Sequence, residues 1–153
     1  MISKKAKYGL KAMMRLAREY GRGPVLIADL AAEESIPKKF LELILLELKQ
    51  QGMLQSKKGK GGGYLLARRP ADITVGSVLR ILDGNLAPVP CVSAHGYRPC
   101  DECSDPATCS IRLLMSEVHG ATTSILDSTT LEQLARKTES DPRSPSARHR
   151  YHI

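Results

Sequence analysis

The stretch SIPKKFLELILLELKQQGMLQSKKGKGGGYLL, residues 35–66, decides the fold. Ser35-Ile36-Pro37 signals a turn and a helix start. Leu41, Ile44, Leu45 and Leu48 then recur at i, i+3, i+4 and i+7, the spacing of one buried helix face, and predict a helix over about 37–50. Lys38, Lys39 and Glu42 sit near its N-terminal end, off that stripe. Met53-Leu54-Gln55-Ser56 and Tyr64-Leu65-Leu66 predict two short strands. Between them Lys57-Lys58-Gly59-Lys60-Gly61-Gly62-Gly63 makes a hairpin loop, whose glycines permit positive φ and close backbone approach.

Working outward, Leu10, Met13, Met14 and Ala17 follow helical spacing and predict a first helix over 3–20, ended by Gly21, Gly23 and Pro24. A short helix over about 26–34 turns Ile27, Leu30 and Ala31 inward. Thr74 caps a fourth helix that buries Val75, Val78, Leu79 and Leu82. Helix, helix, turn, helix, two-stranded ribbon is the order of a winged helix-turn-helix. The expected class is therefore mainly α, with that head over residues 1–83.

Residues 84–105 read as a cysteine-bearing loop. Asp105-Pro106 is a helix-start signal, which predicts a long helix over about 106–126 with Cys109 in its first turn. Its stripe of Ile111, Leu114, Met115, Val118 and Ile125 must bury against something. Thr129-x-x-Glu132 has the capping-box pattern and opens a last short helix through Ala135. The long helix, expected to serve dimerisation, and this short helix together take residues 106–137. Residues 138–153, polar and bearing Pro and Ser, are expected to be disordered.

Aromatic residues make up only 4% of the chain and tryptophan is absent, which favours helices built on Leu, Ile, Met and Ala. No apolar run reaches the roughly 18 residues of a membrane span, and the lysine-bearing N-terminus has no apolar stretch after it, so neither a membrane nor a secretory signal is expected. A cytoplasmic protein with reduced thiols is the expectation. Residues 1–70 carry fifteen Lys and Arg against six Asp and Glu, whereas residues 71–153 carry eight against ten. The basic half implies a polyanionic partner.

In a winged helix-turn-helix, Lys38 and Lys39 would meet phosphates or guanine edges, and Glu42 could accept from cytosine N4. Lys57, Lys58 and Lys60 on the ribbon tip would reach backbone phosphates or a minor groove. Taken singly, a Lys-Lys pair is usually a solvated face and a glycine-lysine loop a flexible turn; the order of all the pieces is what points to double-stranded DNA. The loop does not have the spacing of a phosphate-binding P-loop. No Ser/His/Asp set, paired carboxylates or nucleotide cradle suggests an enzyme. Cys100-x2-Cys103 follows Tyr97-Arg98-Pro99 in a loop, without the strand and helix of a thioredoxin-like site.

The four cysteines of the chain are spaced Cys91-x8-Cys100-x2-Cys103-x5-Cys109. Such a cluster reads as a thiolate metal site, for zinc or an iron–sulfur group, or as a redox sensor. Zinc ribbons prefer two C-x2-C pairs and only one is present. His95 lies within the loop as a spare ligand.

The chain resembles the Rrf2 family of bacterial winged-helix regulators. The resemblance rests on Lys7-Tyr8-Gly9-Leu10-Lys11-Ala12-Met13, Ile36-Pro37-Lys38-Lys39-Phe40-Leu41-Glu42, Lys58-Gly59-Lys60-Gly61-Gly62-Gly63-Tyr64-Leu65-Leu66 and Ile73-Thr74-Val75-Gly76-Ser77-Val78, and covers about residues 1–137. It implies a homodimer built on the long C-terminal helix, two heads on a dyad-symmetric operator, and Tyr8 among the DNA-facing residues. It also implies an iron–sulfur cluster, 2Fe–2S or 4Fe–4S, held by Cys91, Cys103 and Cys109 and responsive to redox state, nitric oxide or iron. Here the chain departs from the family pattern. The gap from Cys91 to Cys103 is longer, Cys100 is extra, the first acidic residue is Glu19, late in the first helix, and position 112 is Arg rather than His. Cys100 is therefore the inferred fourth ligand, giving an all-cysteine site. The alternative is a regulator of the same fold without a cluster, controlled by thiol oxidation, zinc, or a protein or small-molecule partner.

Overall fold

The structure is a computed structural model that describes residues 2–140. Its elements run α1 (Lys4–Arg18), α2 (Ile27–Glu34), α3 (Lys38–Gln50), β1 (Leu54–Lys57), β2 (Gly63–Leu66), α4 (Val75–Asp83), α5 (Ser110–Ser128) and α6 (Leu131–Ser140), with single 3₁₀ turns at Pro70–Asp72, Pro90–Val92 and Pro106–Thr108. The head is a winged helix-turn-helix, as the order of helices and ribbon predicts.

The α3 stripe forms the centre of the core. Leu41, Ile44, Leu45 and Leu48 are fully buried, each contributing roughly 1.5–3 kcal/mol relative to exposure. They meet Ala6, Ala12, Met13 and Leu16 of α1 and Val78, Leu79 and Leu82 of α4 in one cluster. Gly9 lets α1 and α4 approach, because a Cβ there would run into Leu82 Cδ1. The Ser3 hydroxyl caps α1 by accepting from Ala6 N at 3.0 Å, while Ser3 N donates to the Asp83 carboxylate at 2.8 Å and ties the start of α1 to the end of α4. Thr74 caps α4 by accepting from Ser77 N. Ser35, left-handed at φ 54°, makes the sharp turn from α2 into α3.

The ribbon pairs Leu54 with Leu66, Gln55 with Leu65, Ser56 with Tyr64 and Lys57 with Gly63, one residue further along β1 than the pattern suggests. Val25 adds a bridge on its other edge, exchanging hydrogen bonds with Tyr64 at 2.8 and 2.9 Å. The chain after Gly23 thus anchors the wing to the head.

Three expectations are corrected beyond the head. Asp105 and Pro106 cap a single 3₁₀ turn, not the long helix: Asp105 Oδ1 accepts from Ala107 N at 3.0 Å, and Cys109 then takes extended backbone (ψ 110°). Cys109 is accordingly the N-cap of α5 rather than part of its first turn. The capping box opening α6 is Thr130/Gln133, whose side chains exchange bonds with each other's backbone N–H at 3.2 and 2.9 Å. Thr129 does not take that role; its hydroxyl donates to Ile125 O at the end of α5. Finally, α6 extends to Ser140, so residues 138–140 of the expected disordered tail are helical; residues 141–153 lie outside the described residues.

Helix α6 folds back onto the head. Leu131 is fully buried in the core, Leu134 packs against it, and the backbone joins 73–75 to 129–131 through Val75 N to Thr129 O (2.8 Å) and Leu131 N to Ile73 O (2.9 Å). No residue of α5 is buried in the single chain. No helix among the described residues is long and apolar enough to cross a membrane.

Gly63 has φ 144°, and a Cβ there would collide with the Val25 carbonyl. Gly63→Ala should therefore lower the unfolding free energy by about 2 kcal/mol or more in a denaturant titration. A change below about 0.5 kcal/mol would mean that the Val25 bridge does not constrain the wing.

Candidate nucleic-acid interface and cysteine loop

Burying one face of α3 dictates what the other face offers. Lys38, Lys39 and Glu42 all lie exposed on its first turns, as expected from their place off the stripe. Lys57, Lys58 and Lys60 are exposed on the wing, where the turn closes through Gly62 N to Gly59 O at 3.0 Å. Among the described residues none of these five lysines has an ion-pair partner. Other cations of the basic half are engaged in the fold: Lys5 pairs with Glu47 at 2.5 Å, Lys11 Nζ donates to the last α2 carbonyl, Glu34 O, at 2.7 Å, and Lys49 Nζ donates to Ser56 Oγ at 2.7 Å. The fold therefore sets three lysines as braces and leaves five exposed on α3 and the wing; Lys7 on α1 is exposed as well. Tyr8 is half-buried, its ring edge-on to Phe40 with centroids 5.7 Å apart and Lys4 Nζ over its face, so it braces α1 against the start of α3.

Sequence reasoning missed two residues on this surface. Leu43 and Leu46 are 65% and 45% exposed on the outward face of α3. They fall outside the buried stripe, and only the packing of α3 shows that nothing in the chain covers them.

The cysteine loop is organised rather than extended. Cys91 sits in the 3₁₀ turn at Pro90–Val92. Arg98 N donates to Pro90 O at 3.3 Å, Cys103 N to Cys100 O at 3.1 Å, and Arg112 Nε on α5 to Cys91 O at 3.2 Å. Ser93, the one buried polar side chain among the described residues, donates to His95 O and accepts from Asn85 Nδ2 at 2.6 Å. Cys91, Cys100 and Cys109 line one cleft of about 440 Å³ together with Arg98 and Arg112. Burial pushes the Cys103 thiol up, and the neighbouring Cys100, then Cys109 and Cys91, push it further. All four thiols are free. His95 lines a different hollow, with Arg80 and His119, and is not brought to the cysteines.

The donor set fits a thiophilic metal group in its chemistry. Thiolates are soft donors that suit zinc or an iron–sulfur group, and a cationic metal centre would favour the deprotonated form of Cys103 against its burial. The four thiols are near one another without forming a closed coordination shell: among the described residues, no three His, Cys, Asp or Glu side chains converge as they would around an ion.

The loop follows α4 directly and makes a second connection to the head through α5. Arg80 on α4 grips Asp127 with two bonds, at 2.5 and 2.9 Å, beside Gly76, where any Cβ would collide with that carboxylate. Arg112 joins the other end of α5 to Cys91.

A helix-turn-helix head with a basic ribbon, carrying a thiol loop and an uncovered helix, defines a winged-helix regulator. The chain belongs to the Rrf2 family, whose model, described as an iron-dependent transcriptional regulator, matches residues 2–137. It is 42% identical over 137 residues to a putative HTH-type transcriptional regulator, rrf2-like, of Rhodobacter capsulatus, covering 88% of this chain and 91% of the relative. Among solved structures it is similar to CymR, the global cysteine regulator of B. subtilis (TM-score 0.76, 34% identity, 90% of this chain and 97% of that one). It is also similar to T. potens IscR (TM-score 0.71, 29% identity, 90% and 87%). These relatives are regulators, not enzymes.

Asp127 gives the tie between α4 and α5 a pH signature. Its hydrogen bonds to Arg80 hold its carboxyl below the usual carboxylate range. The stabilisation is thus present at neutral pH and lost as pH falls below about 4, through the lowered folded-state value. Because both groups are nearly half exposed, the pair is worth only about 0.5–1 kcal/mol. Asp127→Asn should be less stable than the parent by that amount at pH 7, with the two converging near pH 3 in parallel melts. A difference that persists at pH 3 would assign the effect to packing instead.

Proposed function

We propose that the protein is a homodimeric, operator-binding transcriptional regulator whose DNA affinity is set by an iron–sulfur cluster held by the 84–105 loop and the start of α5. What carries the reading is the placement of the lysines: Lys38, Lys39, Lys57, Lys58 and Lys60 face outward from α3 and the wing, while Lys5, Lys11 and Lys49 brace the fold. Helix α3 enters the major groove, with Lys38 and Lys39 at phosphates or guanine edges and Glu42 at a cytosine N4. The wing lysines hold backbone phosphates or a minor groove, and Tyr8 supports the α3 end of the surface from the α1 side. Residues 1–83 act as the DNA-binding unit, 84–105 as the sensor loop, and 106–137 as the dimerisation segment with its short terminal helix.

Dimerisation is supported by α5. Ile111, Leu114, Val118 and Ile125 are 44–68% exposed in the single chain, a contiguous apolar face of the kind a second copy covers. Two heads related by a two-fold axis would then meet a dyad-symmetric operator.

Cys91, Cys100, Cys103 and Cys109 would hold the cluster. When bound it supplies a redox-active, nitric-oxide- and iron-sensitive group whose gain or loss changes the charge and order of the loop. Ordering of the Cys91 turn passes to α5 through Arg112, and from α5 to α4 through Asp127 and Arg80. The family's description as iron-dependent supports this reading. A second reading, a regulator of the same fold controlled by thiol oxidation, zinc or another partner, is favoured by the likeness to CymR, described as a cysteine regulator.

Two measurements test this. Lys58→Ala should weaken binding on every duplex sequence and lower the slope of log affinity against log salt by about one unit. Glu42→Ala should instead relax preference at one base position; an unchanged operator would remove Glu42 from the base edge. Protein purified without oxygen should be brown and contain iron and sulfide, and Cys100→Ala should lose the colour. Retention of the cluster in that variant would leave three cysteines and a different fourth ligand. Colourless protein with zinc, or metal-free protein that also resists reconstitution, would give the loop to the second reading.

A further inference from the structure

Leu43 and Leu46 stand where α3 has no structural need of an apolar side chain. The buried stripe is complete without them, and they lie on the opposite side of the helix with Lys39 before and Gln50 after, at i, i+4, i+7 and i+11. Helix propensity does not explain the choice, since Lys, Glu and Gln serve about as well on an exposed helix face.

Their surroundings restrict what can cover them. Lys38 and Lys39 are exposed on the same helix, and the exposed Lys57, Lys58 and Lys60 lie on the ribbon that follows it. A protein surface that buried two leucines on such a lysine-bearing face would need matching acids around a small apolar spot. Duplex DNA offers both at once: phosphates on the rim, and thymine C5-methyl groups projecting from the floor of the major groove.

We propose that Leu43, with Leu46 beside it, reads thymine methyl groups, so that the half-site is specified by an apolar contact next to the polar one made by Glu42. This rests on the reading of α3 as the helix in the major groove. Leu43, in the second turn of α3, is the specificity-determining member, and Leu46, one turn on, shields the contact from water. Burying one methyl is worth about 0.8 kcal/mol, or about fourfold in affinity per half-site, and on the order of tenfold when two heads read a symmetric operator.

The test uses the full-length protein and a random duplex library. Wild-type and Leu43→Ala proteins each enrich their preferred sequence, and the wild-type sequence is then resynthesised with thymine replaced by uracil, one symmetric pair at a time, which removes only the methyl. The expected result is one thymine position at which uracil weakens the wild type about tenfold and leaves Leu43→Ala unaffected. Leu43→Gln should shift preference at that position toward adenine, whose N6 and N7 suit an amide. Uracil tolerance at every position, or an unchanged sequence and affinity for Leu43→Ala, overturns the inference while leaving the regulator reading in place. A changed oligomeric state for Leu43→Ala, measured by sedimentation, also overturns it by making this face a protein interface. Failure of the wild type to enrich any sequence overturns the DNA reading and this inference together.

Discussion

Everything functional in this chain depends on the burial of one stripe of α3. Leu41, Ile44, Leu45 and Leu48 are sealed against α1 and α4, so the rotation of the helix about its own axis is fixed to within a side chain. That constraint selects Lys38, Lys39, Glu42, Leu43 and Leu46 as the residues shown to the outside. Removing the stripe would cost about 6–12 kcal/mol, comparable to the whole of the roughly 5–15 kcal/mol by which domains are stable. The core thus keeps the outward face in place at no further cost to the residues on it. The wing is fixed by the same economy. Its inner edge is pinned by Val25 through a glycine that tolerates the contact, and its base is closed by Ala67 N to Met53 O at 3.0 Å. Its lysine-bearing tip is left exposed.

The cysteine loop leaves the head at the end of α4 and also touches α5, of which Leu126 packs against the head's core. A helix with no buried residue in its own chain but with firm contacts at both ends is well suited to transmit a change. At its start Arg112 holds the Cys91 carbonyl; near its end Asp127 holds Arg80, and the 129–131 segment joins the 73–75 segment. In the proposed function, ordering of the loop shifts α5 relative to its partner helix, and the two heads change spacing as a consequence. The coupling requires no long chain of contacts through the core, only a rigid helix gripped at two points.

The head was readable from residues alone because its signals are local and redundant. The α3 stripe, the Thr74 cap and the glycine-lysine hairpin each specify their element, and all six helices and both strands lie where periodicity puts them, within a few residues. The boundaries around the sensor loop were misread where two signals compete for one position. Asp105-Pro106 is a true start signal, yet the turn it opens stops at Cys109, whose extended backbone no propensity announces. Thr129 and Thr130 are equivalent as letters; only the geometry at the end of α5 commits the first to Ile125 O and leaves the second to cap α6. On the outward face of α3, the charged residues are legible as exposed from their place off the stripe, whereas Leu43 and Leu46 are not, since an apolar residue outside a stripe carries no mark of being exposed. His95, a spare ligand by its place in the loop, lines a hollow with Arg80 and His119.

The measurement that bears most directly on the link between loop and head is the affinity of one oxygen-free preparation for one operator duplex, taken before and after the cluster is removed by nitric oxide or a chelator, at fixed salt. Coupling through α5 predicts a change of at least tenfold, about 1.4 kcal/mol, with the protein dimeric throughout. Equal affinities for cluster-bound and cluster-free dimers would show that the cysteine loop and the DNA-binding head work independently, and would contradict the sensor reading.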